Sequence, residues 1–203
     1  MKDIVGGLGL DYSFNNKIKL FVLSTFFNYL VMAAINNVLQ GIYFKAIGLD
    51  EVFIGNLIAL RTLATGFGSI PAGFIADRLG RRNSVLLGVL ISAIGYLGQV
   101  LWVNPTTIYF FACLNGLGMA IIIVDEAPFL VENCEEEKRI NVFSVNFVTS
   151  NLAFVIGSFA AGKLPEFFGA NTVESLKITQ VIFAVMAFLS LIPLSKIKEK
   201  RIR

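Results

Sequence analysis

Apolar, uncharged stretches alternate along this chain with short polar breaks. The longest run Leu20 to Phe44, Asn83 to Val124, Ile140 to Gly162 and Ile178 to Ser195. A helix rises 1.5 Å per residue and a bilayer's hydrocarbon core is about 30 Å thick, so about 20 apolar residues make one crossing. The pattern predicts six such helices, near residues 18–44, 52–76, 84–103, 107–131, 141–162 and 176–194. The polar turn Gly48-Leu49-Asp50-Glu51 separates the first two. The breaker Asn104-Pro105-Thr106-Thr107 divides a stretch too long for one span. Lys163 and Pro165 are expected to end the fifth helix, and Pro193 to end or kink the sixth. The expected fold is an all-α membrane protein: a bundle over 18–195, a polar N-terminal segment 1–17 and a basic tail 196–203.

Composition agrees, with 56% hydrophobic and 15% charged residues against about 45–50% and about 25% in soluble domains. The chain has no His, and Cys113 and Cys134 cannot form a Cys-x-x-Cys pair. We therefore expect no metal site, no cofactor and no enzyme, since no nucleophile–base pair is recognisable. When connections are assigned to alternate sides, Lys2, Lys17, Lys19, Arg78, Arg81, Arg82, Lys138, Arg139 and the tail's cations share one side. The other side receives Lys45, Lys163 and Lys177. The positive-inside rule makes the richer side, and both termini, cytoplasmic, with the plasma (inner) membrane as the expected location. The net charge of +3 is explained by this asymmetry and calls for no nucleic-acid partner. Tyr43, Trp102, Tyr109, Phe167 and Phe168 gather near the expected outer boundary, where amphipathic rings sit at headgroup level. The first apolar run is too long for a cleaved signal peptide.

Between the second and third helices the chain reads Gly73-Phe74-Ile75-Ala76-Asp77-Arg78-Leu79-Gly80-Arg81-Arg82. Asp77 falls at the negative end of a helix dipole, where a carboxylate is unfavourable unless cations surround it, and Arg78, Arg81 and Arg82 are at hand. Gly80 suits the turn. This segment resembles the signature loop of the major facilitator superfamily, G-x-L-x-D-R-x-G-R-R, with Ile75 in place of the Leu. In span number and orientation the resemblance extends over the whole chain, and implies the N-terminal six-helix half of a twelve-helix transporter. It implies a half made of two inverted three-helix repeats, with the path between two halves and Asp77 part of a gate latch meeting the other half. Asn115-Gly116-Leu117-Gly118 is similar to the family's fourth-helix Gly-x-Gly, but Ala112 stands where many members carry an Arg, so proton coupling by that Arg does not transfer. Glu132 followed by Arg139 resembles an acidic–basic pair between helices four and five. Gly157 to Gly162 is a degraded antiporter pattern without its Pro.

Arg61 is the one full cation within a span, roughly 5 Å outward of its middle at helical rise. A cation there costs about 2.5–3.5 kcal/mol, so it is expected to face protein or water. Asn36 and Asn115 fall at similar depth. On a wheel of about 100° per residue, Tyr29, Asn36, Gln40 and Tyr43 form one polar stripe. The expected substrate cavity is Tyr29, Asn36, Gln40, Arg61 and Asn115, with the guanidinium favouring an anionic or carbonyl-rich solute. The alternative is that Arg61 bonds helix-end carbonyls or a carboxylate and the asparagines hold helices together. Asp125 and Glu126 lie deeper on the fourth helix and either carry a proton or pair with Arg81, Arg82 or Arg139 as an inner gate. Asn146, Ser150, Ala153 and Gly157 read mainly as a close-packing stripe.

The expected function is secondary transport of a small solute by alternating access, with the lipid bilayer and a second six-helix half as partners. That half is either absent from this chain, separately encoded or a self-copy. The alternative function is a non-transporting membrane protein: a degenerate or truncated transporter remnant, or a scaffold subunit.

Overall fold

The computed structural model describes residues 14–169 and 172–197. The first thirteen residues of the N-terminal segment and the basic tail beyond Ile197 lie outside the described residues. Six helices are long and apolar enough to cross a membrane: α1 Asn16–Ala46, α2 Glu51–Leu79, α3 Arg81–Leu101, α4 Pro105–Glu132, α5 Arg139–Phe167 and α6 Val173–Ser195. There is no strand among the described residues.

Local chemistry sets the boundaries. Asp50 caps α2, its Oδ1 accepting the Phe53 N–H at 2.7 Å. The Asn104-Pro105 breaker starts α4: Asn104 Oδ1 accepts the Thr106 N–H at 3.0 Å, and Pro105 occupies the first turn, where its missing N–H costs nothing. Thr172 caps α6 through the Ser175 N–H. Gly80, at φ +82°, both ends α2 and begins α3, so the two helices meet with no intervening loop. Proline placement departs from expectation at the fifth helix, which runs on past Pro165 to Phe167. Only the Pro165 N–H is lost, one turn from the end, and the Phe168 N–H closes that turn on the Pro165 carbonyl. In α6 the last turns tighten to a 3₁₀ segment at Ala187–Ser190 before the helix resumes through Pro193.

Within α1, Ala33–Leu39 is wound as a π-helix. Each residue there advances by less than the about 100° of an α-helix, so the faces before and after the segment no longer align.

Packing follows a pairwise exchange. Helix α2 lies along α4 as α5 lies along α1, and α3 packs on α4 as α6 packs on α1. That is the arrangement expected of two three-helix repeats, α1–α3 and α4–α6. Small residues allow the close approaches. A Cβ on Gly118 would sit 2.5 Å from the Ser92 nitrogen and 2.6 Å from the Gly88 oxygen of α3. The α5 stripe Asn146, Ser150, Ala153 and Gly157 is buried, with Gly157 against the Leu30 carbonyl of α1.

Two apolar clusters hold the bundle. One surrounds the π-segment and includes Ile35, Leu39, Tyr43, Phe44, Leu57 and Phe183. The other joins Phe21, Phe129, Leu130 and Leu194 near the α2–α3 turn, with the Phe21 and Phe129 rings stacked at 4.2 Å. Helices α2 and α5 are the least covered, with 11% and 28% of their most apolar windows buried.

Candidate functional site

A polar layer crosses the bundle beside the π-segment. Arg61 on α2 donates from Nη1 to Asn36 Oδ1 at 2.6 Å and to Gln40 Oε1 at 2.7 Å, both on α1. Asn36 in turn donates to the Tyr96 hydroxyl at 3.0 Å, and Gln40 donates to Gln99 Oε1. Gln99 passes its own N–H to the Gly95 carbonyl at 3.0 Å. Asn115 on α4 donates to Ser92 of α3, at 2.8 Å to Oγ and 3.1 Å to the carbonyl, and its Oδ1 is buried without a partner. Thr65 Oγ1 joins the Gly116 carbonyl at 3.1 Å, and Gly116 lies against the Arg61 carbonyl, where any side chain would collide.

Arg61, Asn36 and Gln40 thus stand together, with Asn115 joined to the same helix, α3, that completes the layer. No carboxylate pairs with Arg61 among the described residues. Tyr96, Gln99 and Ser92 were not among the residues singled out in the sequence. Their spacing of i, i+4 and i+7 on α3 is a polar stripe within an apolar span, and that signal could have found them.

Tyr29 is elsewhere. Its hydroxyl donates to Glu126 Oε2 at 3.1 Å, and Asn146 Nδ2 of α5 donates to Glu126 Oε1 at 2.6 Å. The π-segment begins four residues after Tyr29 and contains Asn36, and its winding breaks the wheel that put the two on one face. Tyr43, the last member of that stripe, is 1% exposed and packs in the apolar cluster.

At the α2–α3 turn, Arg81 is the hub. Its Nη1 lies 3.1 Å from Asp125 Oδ1, its Nε 3.2 Å from Glu132 Oε1, and its Nη2 3.7 Å from Asp77 Oδ1. Asp125 is 0% exposed, whereas Asp77 is largely open. Arg82 donates from Nε to the Leu194 carbonyl at 3.0 Å and from Nη2 to the Ser195 carbonyl at 2.7 Å, meeting the negative end of α6. Arg78 is exposed, and Gly73 faces open space. Glu132 and Arg139 do not pair in the structure: Glu132 reaches Arg81, and Arg139 lies 3.7 Å from Glu136 one turn earlier in its own chain segment. Glu126, bonded to Tyr29 and Asn146, is likewise apart from the arginine hub.

Six long apolar helices, with one guanidinium in a layer of carboxamides and a charge cluster at one end, mark an integral membrane protein. Residues 21–196 match the Major Facilitator Superfamily, and the chain belongs to that family, corresponding to its six-helix N-terminal half. It is 29% identical over 101 residues to the sucrose permease of Escherichia coli, covering 49% of this chain and 24% of the permease. A Bacillus subtilis relative with a metabolite-transport name, YncC, is 28% identical over 193 residues, 91% of this chain and 40% of its own. The 4-hydroxybenzoate transporter PcaK of Pseudomonas aeruginosa is 25% identical over 122 residues, 60% of this chain and 27% of that one. The fold is similar to the crystal structure of a D-xylose–proton symporter, with a TM-score of 0.65 at 16% identity over 91% of this chain and 48% of the symporter. The chain therefore spans less than half the length of these relatives.

Proposed function

We propose that this chain is one wall of a secondary transporter that moves a small solute by alternating access, paired with a second six-helix half. The observation that carries the reading is Arg61. Its guanidinium lies within a membrane span and uses Nη1 for both of its side-chain bonds, to neutral carboxamides. Its remaining N–H groups are then available to an anionic or carbonyl-rich solute, in a fork that fits a carboxylate or paired oxygens. Asn36, Gln40, Tyr96 and Gln99 hold the fork in place, and Asn115, wholly buried, ties α4 to the same helix through Ser92.

The Arg81 hub, binding Asp77, Asp125 and Glu132, supports a gate at the end that the positive-inside rule makes cytoplasmic. In this reading the inner-gate role falls to Asp125 and Glu132, while Arg139 braces its own loop. Both termini and the α2–α3 turn would lie on that side of the inner membrane. The length of the relatives supports a second half facing the sparsely covered α2 and α5.

The test is uptake into proteoliposomes of the chain together with its second half. Arg61→Ala is expected to raise the apparent KM for the transported solute at least about tenfold, the loss of a charge-assisted hydrogen bond pair. Arg61→Lys is expected to restore little of it, because an ammonium lacks the planar fork. Unchanged affinity in Arg61→Ala removes Arg61 from the solute site.

A further inference from the structure

A second polar centre lies roughly 16 Å along α4 from Asn115, at helical rise. Around Glu126, helices α1, α4 and α5 line an open cavity of about 460 Å³, within the size range of small-molecule sites. The Tyr29 hydroxyl and one Asn146 amide N–H are directed at the Glu126 carboxylate. One Asn151 amide N–H goes to the Phe147 carbonyl at 2.7 Å. Two buried oxygens are left without partners. Asn146 and Ser150 line the cavity at 6% and 8% exposed, and Asn146 Oδ1 and Ser150 Oγ are buried without hydrogen-bond partners. No cation pairs with Glu126 among the described residues. The rest of the wall is apolar, with the rings of Phe143, Phe147 and Phe154 beside the carboxylate.

A buried acceptor without a donor costs about 1–3 kcal/mol, so a ligand that supplies N–H groups to Asn146 Oδ1 and Ser150 Oγ is favoured here. A carboxylate selects positive charge, and ring faces add cation–π attraction. An anion would meet Glu126 with no cation to offset it.

We propose that the Glu126 cavity binds a protonated primary or secondary amine with an aromatic or apolar body. The ammonium sits at Glu126 and gives its further N–H groups to Asn146 Oδ1 and Ser150 Oγ, and the body lies among the three phenylalanines. This assignment goes beyond the Arg61 reading, since it places a second ligand class at another depth of the same wall, and it stands without that reading.

Calorimetric titration of the full chain in detergent at neutral pH tests it, with phenethylamine as probe and phenethyl alcohol and phenylacetate as the neutral and anionic counterparts of similar size. The amine is expected to bind at least about tenfold more tightly than either, and Glu126→Gln to weaken it by a similar factor. Absence of amine binding, equal binding of the alcohol, or undiminished amine binding in Glu126→Gln overturns the proposal. If Glu126→Gln does not fold, Phe147→Ala reads the same site, because that ring is 70% exposed and contributes little packing. Its amine affinity is expected to fall several-fold, and an unchanged affinity overturns the proposal equally.

Discussion

Asp125 has no exposed surface, and one of its oxygens lies 3.1 Å from Arg81 Nη1. Removing one charge of a buried pair leaves the other poorly compensated, whereas an exposed pair contributes little. Asp125→Asn is therefore expected to lower stability by about 2 kcal/mol, the loss being limited because Arg81 keeps Glu132. Glu132→Gln, at a half-exposed carboxylate, should stay within about 1 kcal/mol of wild type. Thermal unfolding of the two variants in detergent separates them, and equal losses would contradict the ranking. At this scale the sequence reading identified Arg61, Asn36 and Gln40 because a cation or carboxamide is conspicuous in an apolar span. It passed over Tyr96 and Gln99, although with Ser92 they form a polar stripe at helical spacing on α3. It also read Asn146 as packing, and that residue turns out both to pack and to bond Glu126.

The helices themselves follow from local chemistry: caps at Asp50, Asn104 and Thr172 and a positive-φ glycine at residue 80. Their spacing depends on what the glycines touch. On Gly118 a side chain would meet α3 backbone, which cannot rotate away, whereas Gly66 faces open space on α2. Gly118→Val is expected to cost about 2–3 kcal/mol by forcing α3 and α4 apart. Gly66→Ala is expected to be neutral or stabilising by up to about 1 kcal/mol. Chemical or thermal unfolding monitored by helical circular dichroism reads both. The π-segment is the element-level feature that local pattern conceals. Nothing in Ala33-Ala34-Ile35-Asn36-Asn37-Val38-Leu39 announces an i→i+5 turn. Its effect is to turn Asn36 and Gln40 toward α2 and α3 while Tyr29 keeps to α4 and α5.

For the whole molecule, orientation is testable with its own thiols. Cys134 sits between α4 and α5 at the end that carries the Arg81 hub, while Cys113 lies within α4. Burial pushes the Cys134 thiol up, so its deprotonated form gains at higher pH. A membrane-impermeant maleimide is expected to label Cys134 in inside-out vesicles and not in intact cells, faster as pH rises through the upper thiol range. Labelling from outside in intact cells would reverse the orientation. The number of helices, the signature turn and the membrane class are properties of the sequence by itself. Each rests on local composition, on caps or on periodicity, and every apolar stretch of about 20 residues must satisfy its backbone within one helix. The tertiary structure alone decided that Tyr29 joins Glu126 and not the Arg61 layer, that Arg81 holds Asp77, Asp125 and Glu132 together, and that Glu132 leaves Arg139. Those depend on how a π-turn rotates half of α1 and on which helices glycine allows to touch, and a pattern read one helix at a time holds neither.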